Sequence, residues 1–322
     1  MGVSWLKVVS TAKMNEKHQR DLNERYKTVD FRFFENISEA LEEINSAEII
    51  VTYGDDLTEE VIKNCTNLKW VQILSAGIDK LPFEIIGDEK IIITNARGIH
   101  YIPMSEYTIA VLLQIARKSN DIYLNQLNKK WDRTIRLSEI NGATLGIVGL
   151  GSIGQGIAQA AKAFDMKVIG LNRDGREVEH VDKVYKQSQL KDLLAESDYV
   201  VVIVPLTDGT YHLIGEEELK AMKKTAYIIN IARGDVIDEK ALIDVLKNKE
   251  IAGAVLDVFT QEPLPSESPL WTLENCIITP HMSGRSPKYM QRVLEIFKFN
   301  MDLYLEGKIT AMKNLIDIKR KY

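Results

Sequence analysis

Three polar side chains that together could carry acid-base chemistry follow three predicted strands in the second half of the chain. Arg233 lies in INIARGDVID, Glu262 in LDVFTQEPLP and His281 in ITPHMSG. Because open α/β sheets bind ligands at the carboxyl ends of their strands, we expect these side chains to converge. A guanidinium can hold a carboxylate, and a histidine can exchange a proton near neutral pH. Each residue alone has an ordinary structural explanation, so only their combination indicates a site.

A glycine-rich turn upstream has the pattern G-x-G-x-x-G, formed by Gly149, Gly151 and Gly154. It follows an apolar run, opens a helical pattern and precedes a second apolar run, which is the context that dinucleotide binding requires. Gly149 permits a tight turn, Gly151 admits a pyrophosphate, and Gly154 lets the helix pack closely. Backbone N–H groups at the helix start, at Ser152 and Ile153, would face the anion. The alternative is a turn that serves packing alone.

The end of the next predicted strand bears on which nucleotide binds. Sites specific for NAD place a carboxylate there, but this chain has Asn172, followed by Arg173 and Arg176. A carboxylate about 4 Å from a 2′-phosphate would cost about 4 kcal/mol at an effective dielectric constant of about 20, whereas an arginine attracts the phosphate. This pattern favours NADP over NAD. In the alternative interpretation, Asp174 takes the acidic role and the arginines are solvated.

Short apolar runs alternate with helical patterns along most of the chain. Because these runs are continuous, they indicate parallel sheets covered on both faces. Ser38 and Asp238 are predicted to cap helices. The predicted strands cover residues 6–9, 49–52, 70–74, 91–94, 145–148, 168–171, 200–204, 227–231, 254–258 and 277–279, and the main predicted helices cover residues 38–45, 103–118, 152–164, 187–196, 238–247 and 287–305.

Composition and charge narrow the classes of partner. The chain has 322 residues, of which 45% are hydrophobic and 27% charged, with a net charge of −5. This is typical of a soluble protein of about two domains, with no electrostatic reason to bind nucleic acid or a membrane. The two cysteines form no C-x-x-C pair and the five histidines show no H-x-x-x-H spacing, so neither disulfides nor a metal site is expected. We expect a cytoplasmic location.

Taken together, the glycine-rich turn and the segments around Arg233, Glu262 and His281 closely resemble those of the D-isomer-specific 2-hydroxyacid dehydrogenase family. The similarity runs from LSAGIDKLP and TNARGIHYIPMSEYTIA to the final helix. The resemblance implies two Rossmann-like domains with parallel sheets, in which a dinucleotide-binding domain (101–285) is inserted into a discontinuous substrate-binding domain (1–100 and 286–322). It also implies that Arg233 binds the substrate and polarises its 2-oxo group, that His281 donates the proton, and that Glu262 orients the His281 ring.

Further roles are carried over from the same resemblance, residue by residue. Asp257 matches the aspartate that contacts the nicotinamide carboxamide, and Pro205 matches a position beside the cofactor. The backbone at Ala76 and Gly77 matches the loop that receives the substrate carboxylate. Each also has an ordinary interpretation, as a strand-end acid, a strand-end proline and a turn.

The resemblance also implies substrates and assembly. A small 2-oxo or 2-hydroxy acid is expected, with glyoxylate or hydroxypyruvate favoured over bulky substrates. A homodimer is expected through the nucleotide-binding domain, using the helix at 103–118 and an arm at 119–141, although the arm could instead be a lid or a surface excursion. Two alternative functions stay open: oxidation of 3-phosphoglycerate, and non-catalytic cofactor sensing as in the corepressors of this family.

Overall fold

The structure is a computed structural model that describes residues 5–78 and 81–318. The chain divides into two compact units. The first unit comprises Met1–Ile99 and Ser286–Tyr322, and the second comprises His100–Arg285. The first of these boundaries lies one residue before the position expected from the sequence.

Within the described ranges the chain forms twelve β-strands and eleven α-helices. The strands are β1 (Leu6–Ser10), β2 (Val29–Phe33), β3 (Ile49–Thr52), β4 (Trp70–Ile73), β5 (Ile92–Thr94), β6 (Thr144–Val148), β7 (Lys167–Asn172), β8 (Lys183–Lys186), β9 (Tyr199–Val202), β10 (Tyr227–Asn230), β11 (Gly253–Leu256) and β12 (Cys276–Ile278). The helices are α1 (Glu16–Arg25), α2 (Ile37–Ile44), α3 (Glu59–Asn64), α4 (Phe83–Asp88), α5 (Tyr101–Ala116), α6 (Ser119–Leu127), α7 (Ser152–Lys162), α8 (Leu190–Glu196), α9 (Glu216–Ala221), α10 (Glu239–Lys247) and α11 (Tyr289–Leu305).

The first unit is built on a five-stranded parallel sheet in the order β2-β1-β3-β4-β5. Its two faces carry separate cores: Val8 packs with residues of α1 and α11, while its neighbour Val9 packs with residues of α2 and α3. Successive side chains of a strand point to opposite faces, so a sheet covered on both sides needs apolar residues at consecutive positions. This explains the unbroken apolar runs of the sequence.

The second unit contains a seven-stranded parallel sheet in the order β12-β11-β10-β9-β6-β7-β8. The same alternation holds, because Val200 and Val201 lie in different cores on the two faces. The strand order reverses between β6 and β9, and such a switch point opens a crevice beyond the carboxyl ends of the strands. The glycine-rich turn follows β6 at this point. The predicted α/β class with two parallel sheets is confirmed.

Two strands were missed by the prediction, and both lie at sheet edges. In β2, Val29 and Phe31 are buried while Asp30 and Arg32 face outward, so the strand alternates and shows no continuous apolar run. In β8, a strand with the sequence KVYK, only Tyr185 is buried. Edge strands are half-exposed and commonly carry charges, which hides them from a search for apolar runs.

Helix starts were predicted with mixed success. Asp238 caps α10 as expected, because its side chain accepts a hydrogen bond from the backbone N–H of Ala241 at 3.1 Å. The prediction that Ser38 caps α2 is wrong. Asn36 does so, accepting from the N–H of Glu39 at 3.1 Å, and the helix begins at Ile37. Asparagine and serine are both good N-cap residues, so residue type alone does not predict which of the two caps the helix.

In the part of the chain that the structure describes, no helix is long and apolar enough to cross a membrane. Across these same residues, no group of three or more histidine, cysteine, aspartate or glutamate side chains is arranged to hold a metal ion.

Candidate active site

The three candidate catalytic residues follow three neighbouring strands of the second unit. Arg233 comes after β10, Glu262 after β11 and His281 after β12. These strands are adjacent and parallel, so their carboxyl ends lie side by side. The turns that carry the three residues therefore start from one edge of one sheet.

His281 and Glu262 form a direct pair. The Nδ1 atom of His281 lies 2.8 Å from Oε2 of Glu262, and the second carboxylate oxygen accepts a hydrogen bond from the N–H of Phe259 at 3.1 Å. The Glu262 carboxylate is thus held by its own loop while it orients the imidazole. A proton on Nδ1 that points to Glu262 assigns Nε2 to proton exchange with a ligand, and the ring is 51% exposed.

Arg233 is held by a turn that packs against the loop leading to Glu262. Its guanidinium donates to the carbonyl of the preceding residue at 2.8 Å, and its own carbonyl accepts from the Asn230 amide at 3.1 Å. A Cβ at Gly234 would lie 2.0 Å from the carbonyl carbon of Phe259, so only glycine allows this approach. The two loops are therefore in backbone contact beside Arg233.

Asp257 is fully buried and holds the turn that presents His281. Its carboxylate accepts three hydrogen bonds, from the Thr279 hydroxyl at 2.5 Å and from the N–H groups of Met282 and Ser283 at 2.9 Å each. Its backbone carbonyl accepts from the N–H of His281 at 2.8 Å. The structure thus gives this side chain a positioning role that sequence reasoning missed, and the expected contact with a carboxamide stays a prediction.

Two glycines of the fingerprint are required by packing. Gly149 has φ of +114°, and a Cβ there would lie 2.4 Å from the carbonyl oxygen of Ile203. At Gly154 a Cβ would lie 2.1 Å from the carbonyl oxygen of Gly149. Helix α7 therefore packs closely against the turn, and no larger residue fits at either position.

Gly151 differs, because the space around it is open. It is the N-cap of α7, no side chain caps this helix start, and a Cβ built at Gly151 meets no atom within 4 Å. Ser152 and Ile153 begin the helix, and Ser152 is exposed. An uncapped helix N-terminus beside open space suits an anion, so these residues fit the pyrophosphate of a dinucleotide.

Asn172 closes the loop that follows β7. Its amide donates to the carbonyl of Arg176 at 2.9 Å, and its side-chain oxygen accepts from the N–H of Gly175 at 2.6 Å. The side chains of Arg173, Asp174 and Arg176 are exposed around this loop. The asparagine thus shapes the loop on which both arginines are presented, a role that sequence reasoning did not anticipate.

Pro205 follows β9 at the switch point of the second sheet. It is exposed, and its carbonyl accepts a hydrogen bond from the Thr210 hydroxyl at 2.6 Å. The loop that begins at Pro205 is therefore closed on itself.

Ala76 and Gly77 belong to the first unit, where they follow β4. The carbonyl of Ala76 accepts from the Asn95 amide at 2.8 Å, and the carbonyl of Gly77 accepts from the Ser75 hydroxyl at 2.7 Å. Side chains from two neighbouring strand ends thus fix this loop.

Two further residues of the second unit support the His281 turn: Tyr107, which sequence reasoning did not find, and His100, whose role the sequence left open. The Tyr107 hydroxyl lies 2.7 Å from that of Thr279. A Cβ at Gly284 would lie 2.9 Å from the His100 ring, so that ring covers the end of the turn. The position of Thr279 beside His281 was a usable signal, whereas nothing in the sequence connects Tyr107 with a residue 172 positions later.

Known proteins are similar to this chain over most of its length. The family profile described as "D-isomer specific 2-hydroxyacid dehydrogenase, NAD binding domain" matches residues 109–283. The glyoxylate reductase of Thermofilum pendens is 37% identical over 261 residues, which cover 79% of this chain and 77% of that protein. The D-3-phosphoglycerate dehydrogenase of Methanocaldococcus jannaschii is 36% identical over 274 residues, which cover 84% of this chain and 52% of that protein.

A solved structure agrees in fold. The D-isomer specific 2-hydroxyacid dehydrogenase family protein from Aeromonas salmonicida matches with a TM-score of 0.87 and 32% identity, covering 98% of this chain and 100% of that one. The resemblance inferred from the sequence is thereby confirmed, together with the enzyme class and its nicotinamide cofactor. The chain belongs to the D-isomer specific 2-hydroxyacid dehydrogenase family and is an NAD(P)-dependent oxidoreductase.

Proposed function

We propose that this protein reduces small 2-oxo acids to D-2-hydroxy acids, with glyoxylate or hydroxypyruvate as substrate. The observation that carries the proposal is the 2.8 Å pair of His281 and Glu262, beside the turn of Arg233 at one sheet edge. A protein described as glyoxylate reductase is among its relatives at 37% identity, which supports the substrate class.

Each of the three residues has a distinct role in this reaction. Arg233 holds the substrate carboxylate and polarises the 2-oxo group with donors that do not deprotonate. His281 donates the proton from Nε2 to the oxygen of the 2-oxo group, and Glu262 keeps the ring oriented and stabilises the imidazolium. A bound nicotinamide supplies the hydride. Ala76 and Gly77 would receive the carboxylate through their backbone, as the family resemblance implies.

We infer that NADPH is preferred over NADH. The end of β7 carries the neutral Asn172 in place of an acid, and Arg173 and Arg176 are exposed on the loop that this asparagine closes. A 2′-phosphate beside two guanidinium groups gains electrostatic attraction, and a neutral amide does not repel it. Asp174 on the same loop would oppose this preference.

We further propose that the protein is a homodimer formed through the second unit. Helix α6 has no buried residue, although it carries apolar side chains, and Trp131 in the following segment is 91% exposed. A groove between α5 and α7 in the same unit is also mainly apolar. Contiguous exposed apolar surface typically marks an interface, and a second copy would cover both the α6 segment and the groove. The apolar side chains that line the groove are those of Tyr101, Ile102, Ile109, Ala110, Leu113 and Ala160.

The test is a turnover assay that follows the absorbance of reduced cofactor. Glyoxylate, hydroxypyruvate, pyruvate and phosphohydroxypyruvate are each supplied with NADPH or NADH. We expect turnover of glyoxylate or hydroxypyruvate with a higher kcat/KM for NADPH, and a kcat at least about 10²-fold lower in His281→Ala. His180→Ala is a matched control, because His180 is an exposed histidine of the same unit that also has positive φ.

Three outcomes would contradict parts of the proposal. Preference for phosphohydroxypyruvate would favour a phosphoglycerate dehydrogenase. Preference for NADH would transfer the ribose contact to Asp174. Tight cofactor binding without turnover of any of the four acids would favour a cofactor-sensing protein.

A further inference from the structure

A hydrogen-bonded chain links helix α5 to the turn that carries His281. The Tyr107 hydroxyl lies 2.7 Å from the Thr279 hydroxyl, which donates to Oδ1 of Asp257 at 2.5 Å. The same carboxylate accepts from the N–H groups of Met282 and Ser283, so it binds both sides of His281. All of these residues lie in the second unit.

The donors and acceptors of Tyr107, Thr279 and Asp257 determine the direction of these hydrogen bonds. Thr279 has a single hydroxyl proton and donates it to the Asp257 carboxylate. The bond between the two hydroxyls is therefore made with the proton of Tyr107. Burial raises the pKa of Tyr107 to about 12, so its phenol remains a donor at neutral pH. The chain runs from phenol to hydroxyl to buried carboxylate, an arrangement in which successive hydrogen bonds polarise one another.

The hydrogen-bonded series ends at the His281 turn, whose backbone conformation has little intrinsic stability. His281 has φ of 49°, in the left-handed region that favours glycine. Its N–H donates to the carbonyls of Asp257 at 2.8 Å and Thr279 at 3.1 Å. The direction of the imidazole therefore depends on the two residues that the Tyr107 hydroxyl helps to anchor.

We propose that Tyr107 is a positioning residue for proton transfer by His281. Its hydroxyl fixes Thr279, Thr279 and Asp257 hold the left-handed turn, and the turn directs the imidazole to Glu262. This inference rests on the proposed function, because it takes His281 as the group that exchanges the proton. The tyrosine acts through Thr279 and is not assigned a contact with substrate or cofactor.

The experiment compares Tyr107→Phe, Thr279→Val, Thr279→Ser and the double variant Tyr107→Phe/Thr279→Val. Loss of one hydrogen bond is expected to lower kcat about five-fold in Tyr107→Phe, with KM within about two-fold of wild type. Thr279→Val leaves a buried carboxylate without its hydroxyl donor, so a larger fall is expected. Thr279→Ser keeps the hydroxyl and should restore activity. The double variant should equal Thr279→Val, because the phenol acts only through the threonine.

A matched control and a second measurement complete the test. Tyr185→Phe removes another tyrosine hydroxyl of the same unit, one that donates to Glu196, and should leave kcat unchanged. ¹⁵N spectra of the imidazoles, with His281→Ala for assignment, should show one tautomer at His281 in wild type and a mixture in Tyr107→Phe.

The outcomes separate the two proposals. A Tyr107→Phe variant with wild-type kcat and an unchanged His281 spectrum would overturn the positioning role, and so would additive losses in the double variant. Wild-type protein that turns over none of the four acids would overturn the proposed function. The imidazole spectra would still report whether Tyr107 positions the ring.

Discussion

His281 combines an exposed ring with a backbone conformation that is costly for a residue other than glycine. A left-handed conformation costs about 1–2 kcal/mol in such a residue, and hydrogen bonds from the surrounding turn must offset this cost. Here the offset comes from Asp257, which is fully buried and binds the turn through its carboxylate and its backbone carbonyl. Strain supported in this way is a common feature of functional sites.

At the residue scale, the charge of Glu262 should matter more than its shape. In Glu262→Gln the amide oxygen can still accept from the N–H of Phe259, so the loop should keep its conformation. The imidazolium of His281 loses its counter-charge, and kcat for reduction should fall at least about ten-fold, as measured by oxidation of NADPH. Glu267→Gln, in the same connecting segment, is the control, and equal kcat in the two variants would exclude an electrostatic role for Glu262.

At the scale of elements, the fingerprint glycines of the turn after β6 and the first turn of α7 serve two separate purposes. Gly154 lies so close to Gly149 that a methyl group cannot fit, whereas Gly151 faces open space. Packing therefore requires glycine at position 154, whereas only a bound ligand would require it at position 151. The two positions can be separated because one acts on stability and the other on binding.

We accordingly predict that two alanine variants affect different properties, one the thermal stability and the other the affinity for cofactor. Gly154→Ala overpacks the contact between helix and turn at a cost of about 1–3 kcal/mol, which lowers Tm by about 2–4 °C for each kcal/mol. Gly151→Ala should keep the wild-type Tm and weaken NADPH binding several-fold, because its methyl group would occupy the space beside the uncapped helix. Thermal unfolding and cofactor titration measure the two effects. Equal Tm values with equal affinities would refute this division.

At the scale of the whole molecule, assembly follows from apolar surface that the chain does not bury itself. The side chains of Tyr123, Leu124 and Leu127 on α6 are each more than half exposed, and the groove between α5 and α7 lies in the same unit. A second copy offers both a groove for this arm and an arm for this groove, as two-fold symmetry requires.

Light scattering on the purified protein should give about twice the 36.6 kDa of one chain. Ala110→Arg places a long charged side chain in the groove and should shift the protein to the monomer mass. Ala195→Arg is the control, because Ala195 is an exposed alanine on helix α8 of the same unit. A wild-type monomer, or two variants that dissociate equally, would argue against this interface.

The sequence by itself determined the features that depend on local pattern. Continuous apolar runs predicted the central strands, because sheets covered on both faces need apolar residues at consecutive positions. The glycine spacing and the three phrases around Arg233, Glu262 and His281 led to the family. Edge strands such as β2 and the N-cap of α2 escaped prediction, since alternating or interchangeable residues leave weak local signals.

Only the tertiary structure decided which side chains meet. The burial of Asp257, its bonds to the His281 turn and the support from Tyr107 join residues that are far apart in the chain. The contacts of Asn172 are local, but only the structure shows that its amide closes the loop to Gly175 and Arg176. The residue type determines which hydrogen bonds a side chain can donate or accept. The partner of a buried polar group, however, depends on how the strands and helices pack.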